Sequence, residues 1–152
     1  MAEAILKHMT SSSATKLIIS SGGTGGKTAL APTDARTIST LRRHGIDLQQ
    51  RAPRAVVDED FRTFSRILAM DDSDLASLMI MRSRGRRRMG EQHLCAGDGA
   101  EVRLFGPFSR GVREVVPDPY SGGEGKFERA YQQMRRLACE LLLEFGFGTG
   151  EF

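Results

Sequence analysis

The chain has 152 residues, 39% of them apolar and 27% charged, with a net charge of +3. That length supports one domain, residues 1–152, burying roughly two-thirds of its unfolded surface, and the composition reads as soluble and globular. No apolar run approaches the roughly 20 residues of a membrane span. No basic segment precedes the apolar residues of Met1 to Met9, and two cysteines do not make a disulfide framework, so a cytoplasmic protein without a membrane partner is expected.

Ala2, Ile5, Leu6 and Met9 recur at helical spacing and predict a short helix with a buried stripe. Nothing ahead of it caps its first N–H groups, which predicts that the helix belongs to a longer, N-terminally truncated chain. After a Ser-rich link, Lys16 to Ser20 reads as a first strand of the buried type. The following Ser21-Gly22-Gly23-Thr24-Gly25-Gly26-Lys27-Thr28 imitates a nucleotide-binding P-loop, and Asp71-Asp72 imitates the acidic strand end that would hold magnesium. The pattern, however, needs glycine where Ser21 stands and a helix running directly out of Thr28, whereas Pro32 interrupts. A mobile loop is the expectation.

Asp34 to Arg43 predicts a second helix with Ile38 and Leu41 on one face, stopped at Gly45 with apolar Ile46 after it. The charges of Asp58-Glu59-Asp60 suit a helix start, with Phe61 and Phe64 as core contacts. Arg66 to Met70 reads as the second strand, and Asp71 to Met81 as a helix with Leu75, Leu78 and Met79 inward. Arg82 to Arg88 then places five arginines in seven residues, expected as a solvated loop. As an interaction site it would attract a phosphorylated partner, RNA or an acidic membrane surface. No aromatic residue is interleaved for base stacking, and no nucleic-acid partner is expected.

Cys95 lies in a Gly-rich loop without a recognisable partner, and Cys139 sits beside Ala138 as an inert flank of the last helix. Val102 to Phe105 reads as the third strand. Glu124 to Glu144 is a long core-facing helix, carrying Phe127, Ala130, Tyr131, Met134, Leu137, Ala138, Leu141, Leu142 and Phe145 at steps of three and four, and Gly146 to Phe152 is expected to fray. Strands separated by helices imply parallel pairing with right-handed crossovers, a three-layer α/β sandwich.

Between the third strand and the last helix lies Val116-Pro117-Asp118-Pro119-Tyr120-Ser121-Gly122-Gly123. The two prolines fix φ on either side of Asp118 and keep the residues before them extended, so its carboxylate is displayed beside an aromatic ring. In an open α/β sheet such a turn falls on the edge where ligands bind.

These residues carry a resemblance. Asp118-Pro119-Tyr120 followed by Gly122-Gly123 is similar to the general-acid loop of the low-molecular-weight protein tyrosine phosphatases. Four further stretches match in order: Met1-Ala2-Glu3-Ala4, Ser20-Ser21-Gly22-Gly23-Thr24, Asp34-Ala35-Arg36 through Leu48, and Ile67-Leu68-Ala69-Met70-Asp71. The resemblance implies a sheet in flavodoxin-like order 2-1-3-4. It implies hydrolysis of a phosphotyrosine protein or aryl phosphate through a phosphocysteine, with no metal or cofactor. Asp118 is the implied general acid and base, Tyr120 the ring that packs on the substrate's aromatic group, and Ser21 the serine that steadies the phosphate loop. Lys27 and Ser121 depart from the aromatic residues common at those places in the family.

The family's chemistry also needs a C-x5-R loop. Six residues after Cys95 is Glu101, and six after Cys139 is Phe145. The resemblance places that loop, and the sheet's central strand before it, ahead of Met1. The chain as given is therefore expected to be inactive. Four or five missing aliphatic side chains would cost about 6–15 kcal/mol at about 1.5–3 each.

Overall fold

A computed structural model describes residues 1–25, 32–48, 52–89, 99–106 and 114–147. Helix α1 spans Ala2–Met9 and buries Ala2, Ile5, Leu6 and Met9 as its spacing predicts. Helix α2, Ala35–Arg43, starts where the Asp34 carboxylate accepts the Arg36 N–H. It ends where Gly45, at φ +73°, takes the left-handed conformation that lets the Ile46 N–H reach the Leu41 carbonyl. A short α3, Asp60–Thr63, buries Phe61 and leads into strand β1, Arg66–Ala69.

Helix α4 runs over Asp72–Met89, so the arginine run is helical, not a loop. Arginine propagates a helix well, and cations in its last turns offset the partial negative charge of the C-terminus. Its buried line passes through Leu78, with Leu75 and Met81 partly covered, whereas Met79, expected inward, is 47% exposed. The three-residue steps of that line carry it away from position 79. Strand β2 is Glu101–Leu104, and α5 is Glu124–Glu144.

Strands β1 and β2 pair in parallel, Arg66 opposite Glu101 and Ala69 opposite Leu104. The α/β class and the parallel sheet stand, with helices on both faces. Along β1 the side chains alternate: Leu68 and Met70 pack toward the core shared by α1, α2 and α5, while Ile67 and Ala69 join Phe61, Leu78 and Leu104 under α3 and α4. The described sheet is two-stranded, not the three strands expected. Lys16 to Ser20 keeps the strand alternation, with Leu17 and Ile19 on the core and Ile18 84% exposed. It makes no backbone–backbone hydrogen bond to a described residue. Apolar alternation extends a segment, but a ladder requires a neighbouring strand.

The helix α5 stripe is buried from Phe127 through Leu142. Its C-terminus is tied to the strands by Arg103, 2.6 Å from Glu144, and by Arg66, whose guanidinium stands 4.4 Å from the centroid of the partly exposed Phe145 ring. The residues after it do not fray at once: Gly146 at φ +84° turns the chain, the Phe147 N–H bonds to the Leu142 carbonyl, and Phe147 is buried. An apolar residue two places past the helix end closes over its last turn, which is why this one docks. Cys139 is free and half-buried against the same core, and Cys95 lies outside the described residues. Among the described residues, no helix is long and apolar enough to cross a membrane.

Candidate active site

The displayed carboxylate stands at the carboxyl end of the sheet because the backbone on both sides of it is anchored. The Val116 N–H bonds to the carbonyl of Met70, directly after β1, at 2.8 Å. That approach depends on Gly106: a Cβ there would lie 2.5 Å from the Glu114 carbonyl, so only glycine lets the chain leaving β2 meet the leg returning toward Asp118. Beyond Val116, Asp118 is exposed, and its Oδ1 accepts the Tyr120 N–H at 3.0 Å. Aspartate commonly bends a turn in this way. The Gly122 N–H to Pro119 carbonyl bond, 3.0 Å, closes the next turn, and α5 begins after Gly123. Tyr120, 69% exposed, is therefore held by its backbone N–H next to the Asp118 carboxylate.

Arg36 locks this turn to the N-terminus of α2. Its Nη1 donates to the Gly122 carbonyl at 2.6 Å and its Nη2 to the Tyr120 carbonyl at 3.1 Å. Asp34 aims it, through Oδ1 at 3.0 Å from Nε and Oδ2 at 2.7 Å from Nη2. The guanidinium lies 4.4 Å from the centroid of the Phe127 ring and 5.7 Å from that of Tyr120. Asp34's hydrogen bonds hold Arg36 above its ordinary range, and Arg36 in turn lowers Asp34. Sequence reasoning read this segment as a helix and a matched stretch, and missed Arg36 as a positioning residue. The signal was present: a cation in the first turn of a helix opposes the macrodipole, and one so placed two residues after a capping aspartate has a partner to explain it.

Ser21 sits on a separate turn. Its hydroxyl donates to Glu3 Oε2 at 2.5 Å, and Glu3 also pairs with Lys7, so the serine is fixed to the first turn of α1. The turn itself is braced from below, with the Gly23 N–H on the Arg54 carbonyl and the Val56 N–H on the Gly23 carbonyl, each 3.0 Å. Arg54 reaches on to Asp60 at 2.8 Å. Burial alone would push Asp60 up; the Arg54 guanidinium and the Val57 N–H outweigh it and hold the carboxyl below its ordinary range. Ser21 makes no hydrogen bond to Asp118 or Tyr120, so among the described residues hydrogen bonding joins the acid to the Tyr120 backbone but not to the serine.

The P-loop reading loses its neighbours. Thr24 Oγ1 donates to Asp74 at 2.6 Å, and Asp71 caps the Asp74 N–H at 2.8 Å, so these groups close the start of α4. Residues 26 to 31, including Lys27 and Thr28, lie outside the described residues. Among the described residues no group of three or more His, Cys, Asp or Glu comes together as a metal site.

Comparison with known proteins agrees with this arrangement. A profile described as low molecular weight phosphotyrosine protein phosphatase matches residues 1–146. The human protein of that name is 34% identical over 126 residues, 83% of this chain and 72% of its own length. The pig protein is 36% identical over 111 residues, 73% of this chain and 63% of its own. Among solved structures, the Drosophila arginine phosphatase DARP superposes with a TM-score of 0.77 at 28% identity, covering 97% of this chain and 89% of that one. The order of matched elements, the parallel α/β layering and the displayed acid turn lead to one conclusion: this chain belongs to the low-molecular-weight phosphotyrosine protein phosphatase family.

Proposed function

We propose that the chain carries the acid and aromatic half of a phosphotyrosine phosphatase site. Asp118 protonates the leaving phenolate of an aryl phosphate and later takes a proton from the attacking water, Tyr120 packs on the substrate's ring, and Ser21 steadies the phosphate-binding turn. The observation that carries the reading is the Asp118–Tyr120 turn, braced by Arg36 at the carboxyl end of the sheet. A general acid works from a position fixed relative to the leaving oxygen, and a carboxylate on a twice-anchored turn meets that condition.

Neither cysteine is followed by arginine at the spacing that phosphate-loop chemistry requires. The thiolate that would attack phosphorus and the guanidinium that would hold its oxygens are supplied by no segment of these 152 residues, so the chain by itself is inactive. Purified chain should hydrolyse p-nitrophenyl phosphate no faster than a buffer blank. To test Asp118 directly, an aliphatic strand and a C-x5-R loop of the kind the family resemblance implies are fused ahead of Met1. The fusion should turn over, and Asp118→Asn should slow it about 100-fold. Asp118-dependent turnover by the unfused chain would refute the inactivity; a folded, active fusion indifferent to Asp118→Asn would refute the acid assignment.

A further inference from the structure

A second site lies away from the acid turn. Between the C-terminal ends of α1 and α2 and the middle of α5 is a cavity of about 570 Å³, a size that accommodates a small organic ligand. Its apolar wall comes from Ile5, Met9 and Ile46, and its aromatic wall from His44 stacked on Tyr131, with ring centroids 3.8 Å apart and planes 11° off parallel. Ser11, Ser12 and Gln132 supply polar contacts at its margin.

Two polar groups at this cavity have no protein partner among the described residues. Arg135 lines it and is exposed, yet it makes no ion pair or hydrogen bond with a described residue. Tyr131 is only 5% exposed, and its hydroxyl has no hydrogen-bond partner among the described residues. The hydroxyl itself is not sealed from solvent, so it is open to the cavity that Tyr131 lines. Burial pushes the Tyr131 phenol above its ordinary range, against the pull of nearby Arg135, so at neutral pH it remains an O–H donor.

The surrounding charge restricts the ligand. Glu128 accepts a hydrogen bond from Gln132 at 2.9 Å and stands 2.8 Å from the His44 Nε2, with the Arg43 guanidinium close by, so that carboxylate is already engaged. The carbonyl ends of α1 and α2 add partial negative charge on the same side. What remains facing the cavity is the Arg135 fork, the Tyr131 phenol donor, the exposed His8 and a flat wall. A guanidinium fork matches a carboxylate with two parallel hydrogen bonds, and the carbonyl ends of α1 and α2 disfavour a second negative charge on the ligand. We propose that this cavity binds a small aromatic carboxylate, its ring against the His44–Tyr131 wall and its carboxylate on Arg135 and the Tyr131 hydroxyl.

The test is an NMR titration of the full chain with benzoate, benzamidine and phenylphosphonate. Benzoate should shift the amides of His44, Tyr131 and Arg135 saturably, with a Kd of about 1 mM for so small a ligand. Arg135→Gln, a surface change, should weaken binding at least about 10-fold. Tyr131→Phe, which keeps the packing, should weaken it by a smaller factor, and Asp118→Asn should leave it unchanged. The inference is overturned if Arg135→Gln binds benzoate as wild type does, or if benzamidine binds there equally well. Phenylphosphonate binding more tightly than benzoate at these amides would overturn the monoanion assignment.

Discussion

Replacing Phe127 by alanine would test how the acid turn is held. The ring is 1% exposed in the first turns of α5, and the Arg36 guanidinium lies over it at 4.4 Å. Truncating a fully buried phenylalanine costs about 3–5 kcal/mol, and because Arg36 can settle partly into the space, the lower figure, about 3, applies. Against a total of about 5–15 kcal/mol that is a large share of the stability. For a chain of this size it lowers Tm by about 6–12 °C. Leu137→Ala, at 0% exposure further along the same helix, serves as the comparison, since it opens a cavity of similar cost remote from the turn. Urea denaturation should report comparable losses for the two variants. Hydrogen exchange should separate them: the Tyr120 and Gly122 amides, bonded to Asp118 and Pro119, should exchange faster in Phe127→Ala than its global destabilisation accounts for. A loss below about 1 kcal/mol, or equal exchange at these amides in both variants, would refute the view that Phe127 supports the turn through Arg36.

Arg36→Gln should loosen the same turn and lower kcat of the fusion enzyme by about 10-fold, and Arg36→Lys should not restore it, because a single ammonium cannot span both carbonyls and Asp34. Gly106→Ala should destabilise the chain by about 1–3 kcal/mol in a urea melt and break the Val116–Met70 bond, since the new methyl meets the Glu114 carbonyl. Asp60 titrates lower in the folded state, so its contribution is present above the ordinary aspartate range and is lost as pH falls through the lowered value. Arg54→Gln should flatten that part of a stability profile measured from neutral pH downward. Met79→Lys, at a surface position, should change stability by no more than about 0.5 kcal/mol, while Leu78→Ala should cost about 2–5, both read from urea midpoints.

Much of the architecture was legible because its signals are local. The 21 residues of α5 follow from a continuous apolar stripe, and the end of α2 follows from Gly45 and Ile46. The prolines around Asp118 displayed the acid before any contact was known, and the same residues carried the family resemblance. Where neighbours decide, the sequence was silent or misleading. Lys16 to Ser20 has a strand's alternation, yet a ladder depends on an adjacent strand. The arginine run looked like a solvated loop, yet its backbone continues a helix, because charge favours exposure without fixing backbone conformation. Arg36 acquired its role only when folding brought two carbonyls 84 and 86 residues away within reach of its fork. The cavity at Arg135 likewise depends on three helices whose ends meet only in the tertiary structure, since no local pattern in one helix specifies what faces it from the next.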